Sequence, residues 1–125
     1  MATVTATKEN FDELMTSTDI VLVDFWAEWC GPCRAFAPVF EKASVTHPDI
    51  TFAKVDTEAQ QELGAAFSIM SIPTLMVMRD NVIVYMEAGA LPAKSLEELI
   101  GKVRELDMED IHRRIAERND KQTAS

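Results

Sequence analysis

The sequence has few of the residues that many kinds of functional site require. Of its 125 residues, two are cysteine and two are histidine, so the soft donors that hold zinc are scarce. Basic residues are outnumbered as well: 12 Lys and Arg stand against 21 Asp and Glu, a formal net charge of -9. A charge of this sign repels nucleic-acid backbones and anionic lipid surfaces, so neither is an expected partner.

Long apolar stretches are also missing. No apolar run approaches the roughly 20 residues that cross a bilayer, so no membrane association is expected. The segment Met1–Phe11 has no apolar core of the kind a signal peptide carries. These features predict a cytoplasmic protein, where disulfides seldom persist as structural crosslinks. With 47% hydrophobic residues, a chain of 125 residues is expected to form one domain with its own core.

Two hydrophobic periods alternate along the chain. Apolar runs predict strands near Thr3–Ala6 and at Ile20–Trp26, Ile50–Val55, Thr74–Met78 and Val82–Met86, the last two as a hairpin. Helical spacing predicts helices at Lys8–Met15, Pro32–Ser44, Thr57–Phe67 and Ser95–Leu106, with Ser95 and Glu98 as a capping box. This order predicts a three-layer α/β/α sandwich around a central mixed sheet. Its middle strand should be Ile20–Trp26, which runs directly into the segment that carries the cysteines.

Both cysteines lie in AEWCGPCRAF, Ala27–Phe36, at the predicted junction of the middle strand and a helix. As a crosslink, a bond between Cys30 and Cys33 closes so small a ring that it constrains little of the unfolded chain. As zinc ligands the pair lacks partners, since His47 and His112 are not spaced as a second ligand pair. We therefore expect no metal site here.

A redox-active dithiol suits this stretch better. Cys30 is at the start of a helix, where the positive end of the helix dipole favours a thiolate, and Cys33 is within bonding reach one turn on. Cys30 is thus the expected nucleophile and Cys33 the residue that resolves the exchange. No cation stands between them at Gly31 and Pro32 to make the pair more oxidising, so the sequence favours a reductant.

The chain resembles the thioredoxin family from about Val4 to Leu106. The resemblance is carried by VDFWAEWCGPC at Val23–Cys33, FAKVD at Phe52–Asp56, SIPT at Ser71–Thr74 and GAL at Gly89–Leu91. It implies a thioredoxin fold for residues 1–106 and an enzyme that reduces disulfides of oxidised protein substrates in the cytoplasm. It also implies that no cofactor is bound and that electrons come from NADPH through thioredoxin reductase. We expect a monomer.

The resemblance implies roles for residues outside the dithiol. Asp24 would be buried beneath Cys33 and take its proton, and Lys54 would approach that carboxylate. The plain alternatives are an aspartate that faces solvent and a solvated lysine. Pro73 would follow a cis peptide bond and face the dithiol, although the sequence alone favours trans.

A groove for the target segment is implied as well. The backbone of Ile72 would pair with an extended target segment as an added strand. The groove around Cys30 would be formed by Trp29, Gly31, Pro32, Ile72, Gly89 and Ala90. A bulge in the hairpin strand is an alternative reading of Gly89 that is compatible with binding. The sequence departs from the family at Met70 and Ser71, where many relatives carry a basic residue and glycine, so a more apolar rim is expected.

Residues 107–125 extend past the usual end of the family. Asp107 is placed to cap a short helix with Met108, Ile111 and Ile115 along one stripe. The polar residues Asn119–Ser125 predict a disordered tail. We expect this helix to pack against the preceding domain, with a partner-binding helix as the alternative.

Two other functions are compatible with these motifs. A thioredoxin-fold binding subunit would use the groove for docking alone, and a dedicated donor would serve one oxidised enzyme. Binding subunits usually lack an active cysteine or the buried acid, whereas this chain has Cys30, Cys33 and Asp24. The sequence does not separate a dedicated donor from a general reductase.

Overall fold

The computed structural model describes residues 2–124. Within that range a single sheet contains five strands, β1 (Thr3–Thr5), β2 (Ile20–Trp26), β3 (Thr51–Asp56), β4 (Thr74–Arg79) and β5 (Val82–Ala88). The helices are α1 (Phe11–Met15), α2 (Gly31–Thr46), α3 (Gln61–Ala66), α4 (Ala93–Arg104) and α5 (Met108–Ala124).

The central strand of the sheet is β2, as the sequence predicted. The strand order is β1-β3-β2-β4-β5, with β2 parallel to β3 and antiparallel to β4. Every residue of β2 except Trp26 is buried. Because both faces of this strand are covered, its sequence is a near-continuous apolar run rather than an alternating one.

The two faces of the sheet carry separate hydrophobic cores, which confirms the predicted three layers. On one face α2 and α4 cover the sheet, and the Phe40 ring lies 5.2 Å from that of Phe52 in an edge-on contact. On the other face α1 and α3 cover it, and the ring of Phe67 lies 5.3 Å from Phe11 and 5.8 Å from Phe25. Alternate residues of β2 belong to opposite cores, as the pleat of a strand requires.

The four helices predicted before residue 107 all begin one to four residues away from their predicted starts, and the shift is smallest for α2. Helix α1 starts at Phe11 because residues 7–10 form a turn, and α3 starts at Gln61 because Asp56 accepts hydrogen bonds from the backbone of the turn that precedes it. The capping box predicted for α4 is wrong. Its N-cap is Pro92, with no side-chain capping bond, and Ser95 is the third residue of the helix.

The predicted C-terminal helix is present, and it is longer than expected. Asp107 caps α5, since its Oδ1 accepts a hydrogen bond from the backbone N–H of Asp110 at 3.0 Å. The helix continues to Ala124, through most of the segment for which the sequence predicted disorder. Arg113 supports this continuation by pairing with both Asp110 and Glu117 along the helix. Ser125 lies outside the described residues.

Candidate active site

The two cysteines form a disulfide at the N-terminus of α2. Cys30 is the N-cap residue, and its Sγ accepts a hydrogen bond from the backbone N–H of Cys33 at 3.2 Å. The two Cα atoms are 5.2 Å apart, and both side chains are almost completely buried. Pro32 lies in the first turn, where its missing N–H leaves nothing unpaired. The sulfurs therefore lie at the positive end of a helix of 16 residues.

The segment that precedes β4 approaches this disulfide, and the residue after β5 is hydrogen-bonded to that segment. The Ile72–Pro73 peptide bond is cis, as the resemblance implied, and the carbonyl oxygen of Ile72 lies 3.7 Å from Cys30 Sγ. Gly89 follows β5 with φ of 115°, and its N–H donates to the carbonyl of Pro73 at 2.8 Å. The irregularity in the hairpin pairing lies between Val77 and Met78, so Gly89 is not a strand bulge. Its left-handed backbone is one that residues with a side chain rarely adopt.

Asp24 lies inside the sheet, and the alternative of a solvent-facing carboxylate is wrong. It is 0% exposed, and neither carboxylate oxygen has a hydrogen-bond partner among the described residues. It follows Ile20 and Leu22 at alternate positions of β2, and both of those side chains pack in the core that α2 covers. Asp24 is therefore on the sheet face beneath α2, the helix whose first turn contains Cys33.

Burial shifts the protonation of Asp24 strongly. Loss of hydration raises the pKa of its carboxyl to about 7, and the positive charge of Lys54 acts in the opposite direction. Lys54 is the neighbour of Asp24 in the register of the parallel strands β2 and β3. Its Nζ lies 4.9 Å from the centroid of the Trp26 ring, so the lysine is half-buried rather than freely solvated.

The groove residues implied by the resemblance differ in how exposed they are. Gly31, Pro32, Gly89 and Ala90 are exposed, and Ile72 is half-buried. Trp29 is 68% exposed, and its indole N–H donates to Glu58 Oε1 at 2.7 Å. This hydrogen bond holds the ring of Trp29 beside the segment that leads into α3.

A cleft that the sequence did not predict opens between Trp29 and α3. It encloses about 610 Å³ and is lined by Trp29, Thr57, Gln61, Gly64, Ala65, Ile69, Met70, Ser71 and Ile72. Its lining is mainly apolar, and its volume is within the usual range for ligand sites. The departure from the family at Met70 and Ser71 was the one sequence signal for it. The segments that form it meet only when the sheet has folded.

Neither histidine is near the dithiol. His47 Nε2 is 2.6 Å from Glu97 Oε2, and His112 Nε2 is 3.6 Å from Asp80 Oδ2. Across the part of the chain that the structure describes, no three His, Cys, Asp or Glu side chains are grouped as metal ligands. Among the described helices, none combines the length and the apolar character that crossing a bilayer takes.

A disulfide at a helix N-terminus, a cis-proline facing it and an acid buried under the helix together define a thiol-disulfide oxidoreductase site.

Comparison with known proteins gives the family. The thioredoxin family model matches residues 2–102. A Streptomyces coelicolor protein with a thioredoxin name is 55% identical over 116 residues, covering 93% of this chain and 87% of its own. Bacillus subtilis thioredoxin is 42% identical over 103 residues, covering 82% of this chain and 98% of its own.

Solved structures agree with this assignment. A mutant thioredoxin from Halobacterium salinarum superposes with a TM-score of 0.77 at 32% identity, covering 83% of this chain and 91% of its own. A Plasmodium falciparum thioredoxin gives a TM-score of 0.73 at 35% identity, covering 80% and 97%. The chain belongs to the thioredoxin family. It is a thiol-disulfide oxidoreductase with disulfide reductase activity.

Proposed function

We propose that the protein reduces disulfides of target proteins, with Cys30 as the nucleophile and Cys33 as the resolving residue. The observation that carries this proposal is the Cys30–Cys33 disulfide at the N-terminus of α2. Once that disulfide is reduced, the helix dipole and the N–H of Cys33 favour a thiolate at Cys30. The second cysteine is held within reach by one helical turn.

The exchange takes place in two steps. The Cys30 thiolate attacks one sulfur of the target disulfide, forms a mixed disulfide and expels the other target sulfur as a thiolate. The Cys33 thiolate then attacks Cys30 Sγ, which releases the second target sulfur and leaves the Cys30–Cys33 disulfide. Two electrons pass from the dithiol to the target. The second step is intramolecular, so the mixed disulfide is short-lived.

Asp24 is proposed as the base that takes the proton from Cys33. Its burial under α2 and its pKa of about 7 support this role, because a group that titrates near neutral pH can both accept and release a proton there. Lys54 is proposed to limit the rise of that pKa through its charge. Pro73 is proposed to keep the Ile72 backbone beside Cys30 for strand-like pairing with an extended target segment.

The remaining groove residues are proposed to contact the target. Trp29, Gly31, Pro32, Gly89 and Ala90 are exposed, and most of them are small, so a target backbone can approach closely. We further propose a cytoplasmic monomer with no bound cofactor, which thioredoxin reductase recharges with electrons from NADPH. Membership of the thioredoxin family supports these partners. The net charge of -9 argues against nucleic acid as a further one.

Two cysteine variants test the assignment of roles. Cys33→Ser should accumulate covalent complexes with target proteins, visible as bands that a reducing agent removes, because the mixed disulfide can no longer be resolved. Cys30→Ser should abolish insulin reduction in an assay coupled to NADPH and thioredoxin reductase. A Cys30→Ser protein that retains activity would overturn the assignment. Comparing several oxidised targets in the same assay separates a general reductase from a donor dedicated to one of them.

A further inference from the structure

Among the methionines that the structure describes, one has an environment unlike the rest. Met70 is 93% exposed. Met15, Met76, Met78 and Met108 are at most 7% exposed, and Met86 is half-buried in β5. A thioether in contact with solvent is open to dissolved oxidants, whereas one packed in a core is shielded from them.

Met70 also occupies a particular place beside the active site. It lines the cleft of about 610 Å³ together with Trp29 and Ile72. The carbonyl of Ile72, two residues further on, lies 3.7 Å from Cys30 Sγ. A target segment whose sulfur reaches Cys30 therefore comes close to the Met70 side chain. Methionine suits such a rim because its flexible thioether adapts to different apolar surfaces.

We propose that Met70 is a modification site, where hydroperoxides form methionine sulfoxide, and that the sulfoxide weakens the binding of protein targets. The thioether sulfur attacks the peroxide, the O–O bond breaks, one oxygen is transferred to sulfur and the other leaves as water or an alcohol. The sulfur loses two electrons and the peroxide gains them. In the disulfide form, the sulfurs of Cys30 and Cys33 are bonded to each other and buried, so they do not compete as thiolates.

The effect on target binding rests on the proposed function. A sulfoxide places a strong hydrogen-bond acceptor where an apolar target side chain would otherwise lie, and that acceptor loses its hydration when a target covers it. Small polar disulfides reach Cys30 without covering the rim. Oxidation is therefore expected to act on protein targets and to spare small ones.

The modification itself is tested by peptide mass mapping. The disulfide form is treated briefly with hydrogen peroxide, and oxygen addition is followed at each methionine peptide. Met70 should be oxidised at least about tenfold faster than the four buried methionines, because oxidation rates follow exposure. Oxidation of Met86 or of a buried methionine at the rate of Met70 or faster would overturn the site.

The consequence is tested with the treated protein after its dithiol has been regenerated. The KM for insulin should rise by about threefold to tenfold, as expected for the loss of one good apolar contact, and methionine sulfoxide reductases should restore it. The KM for oxidised glutathione should not change. In a Met70→Leu protein, whatever its starting KM, peroxide treatment should leave that value where it was.

The outcomes distinguish this inference from the function on which it rests. An untreated protein that reduces neither disulfide contradicts the proposed function and, with it, the effect on targets. An untreated protein that reduces both, and whose KM for insulin is unaffected by oxidation of Met70, contradicts the further inference alone. An equal rise in KM in treated Met70→Leu protein also contradicts it, since another residue would then be responsible.

Discussion

At the scale of single residues, Asp24 is an acidic side chain whose carboxyl group the fold removes from water. It is fully buried in β2, and its oxygens have no hydrogen-bond partner among the described side chains and backbone groups. Desolvation therefore raises its pKa to about 7, despite the opposing charge of Lys54. The residue is close to half-ionised near neutral pH, which is the condition for a group that passes a proton in both directions.

The burial of Asp24 lowers the stability of the folded protein by an amount that depends on pH. Asp24 keeps its proton more tightly in the folded protein than in the unfolded chain, where the usual value of 3.8 applies. Between these two pKa values the folded state binds more protons, so the free energy of unfolding falls as the pH rises from about 4 to about 7. One pKa unit corresponds to roughly 1.4 kcal/mol. Above neutral pH, the raised pKa of Asp24 therefore lowers the free energy of unfolding by an amount on the order of 4 kcal/mol.

An Asp24→Asn variant should therefore be more stable than the wild type at about pH 8, by a few kcal/mol, and should lose most of this advantage at about pH 4. The amide resembles the protonated acid, so both proteins bury an uncharged group at low pH. Guanidinium unfolding of the disulfide forms across this range measures the difference. Asp12→Asn, at an exposed position of α1, is the control and should follow the wild type. A difference that is constant with pH would contradict the expectation.

At the scale of secondary-structure elements, α5 is the part of the chain that lies beyond the family match. The match to the thioredoxin family ends at residue 102, whereas the 116 residues matched by the Streptomyces relative must extend into this helix. Burial decreases along α5, from Met108 in the core through the half-buried Ile111 to Ile115, which is 38% exposed. The helix is attached to the domain mainly by its first turns.

We expect the stability that α5 provides to come from those first turns. Met108→Ala should lower the free energy of unfolding by about 2 to 4 kcal/mol, because it leaves a cavity where a buried side chain packed. Ile115→Ala, on the same helix, should cost clearly less. Chemical denaturation of both variants measures this gradient. Equal losses, or none from Met108→Ala, would mean that α5 does not pack as described.

The turn of the hairpin between β4 and β5 also contacts α5. Asp80 and Asn81 both have left-handed φ values, 53° and 62°, which two-residue hairpin turns of this kind require. Asp80 also pairs with His112 of α5 at 3.6 Å, so the turn is one of the points where the C-terminal helix meets the domain.

At the scale of the whole molecule, the redox site and the C-terminal helix lie at opposite ends of the sheet. Cys30 follows the carboxyl end of β2, and Pro73 precedes the amino end of β4. Because these two strands are antiparallel, both residues lie at the same end of the sheet. The turn at Asp80, which contacts α5, is at the far end of β4. Substitutions in α5 should therefore change stability without changing the rate of disulfide exchange.

The charge of the whole protein should influence which targets it meets quickly. A net charge of -9 attracts basic proteins and repels acidic ones over distances comparable to the Debye length. Raising the salt from about 20 mM to about 300 mM should lower kcat/KM for a basic disulfide protein by at least about threefold and raise it for an acidic one. Oxidised glutathione assayed at each salt concentration shows any effect on the chemistry itself. The same salt response for both proteins would contradict steering.

Local patterns in the sequence were sufficient for much of this fold. The apolar run Ile20–Trp26 predicted β2 with its observed bounds, because a strand covered on both faces has few polar positions. The order of elements predicted the three layers. The capping box at Ser95 failed, because Pro92 ends the preceding segment and the helix begins before the serine. The start of this helix is therefore set by the backbone of the residue before it, and not by the capping-box motif.

What the sequence alone determined is the position of the dithiol. A strand that must be central leads into a helix that begins just after Cys30, and both signals are local. The tertiary structure decided what surrounds it. The burial of Asp24 depends on α2 covering its face of the sheet, and the cleft at Met70 depends on Trp29 and α3 meeting. Desolvation and surface shape arise from contacts between distant segments, which no stretch of sequence contains by itself.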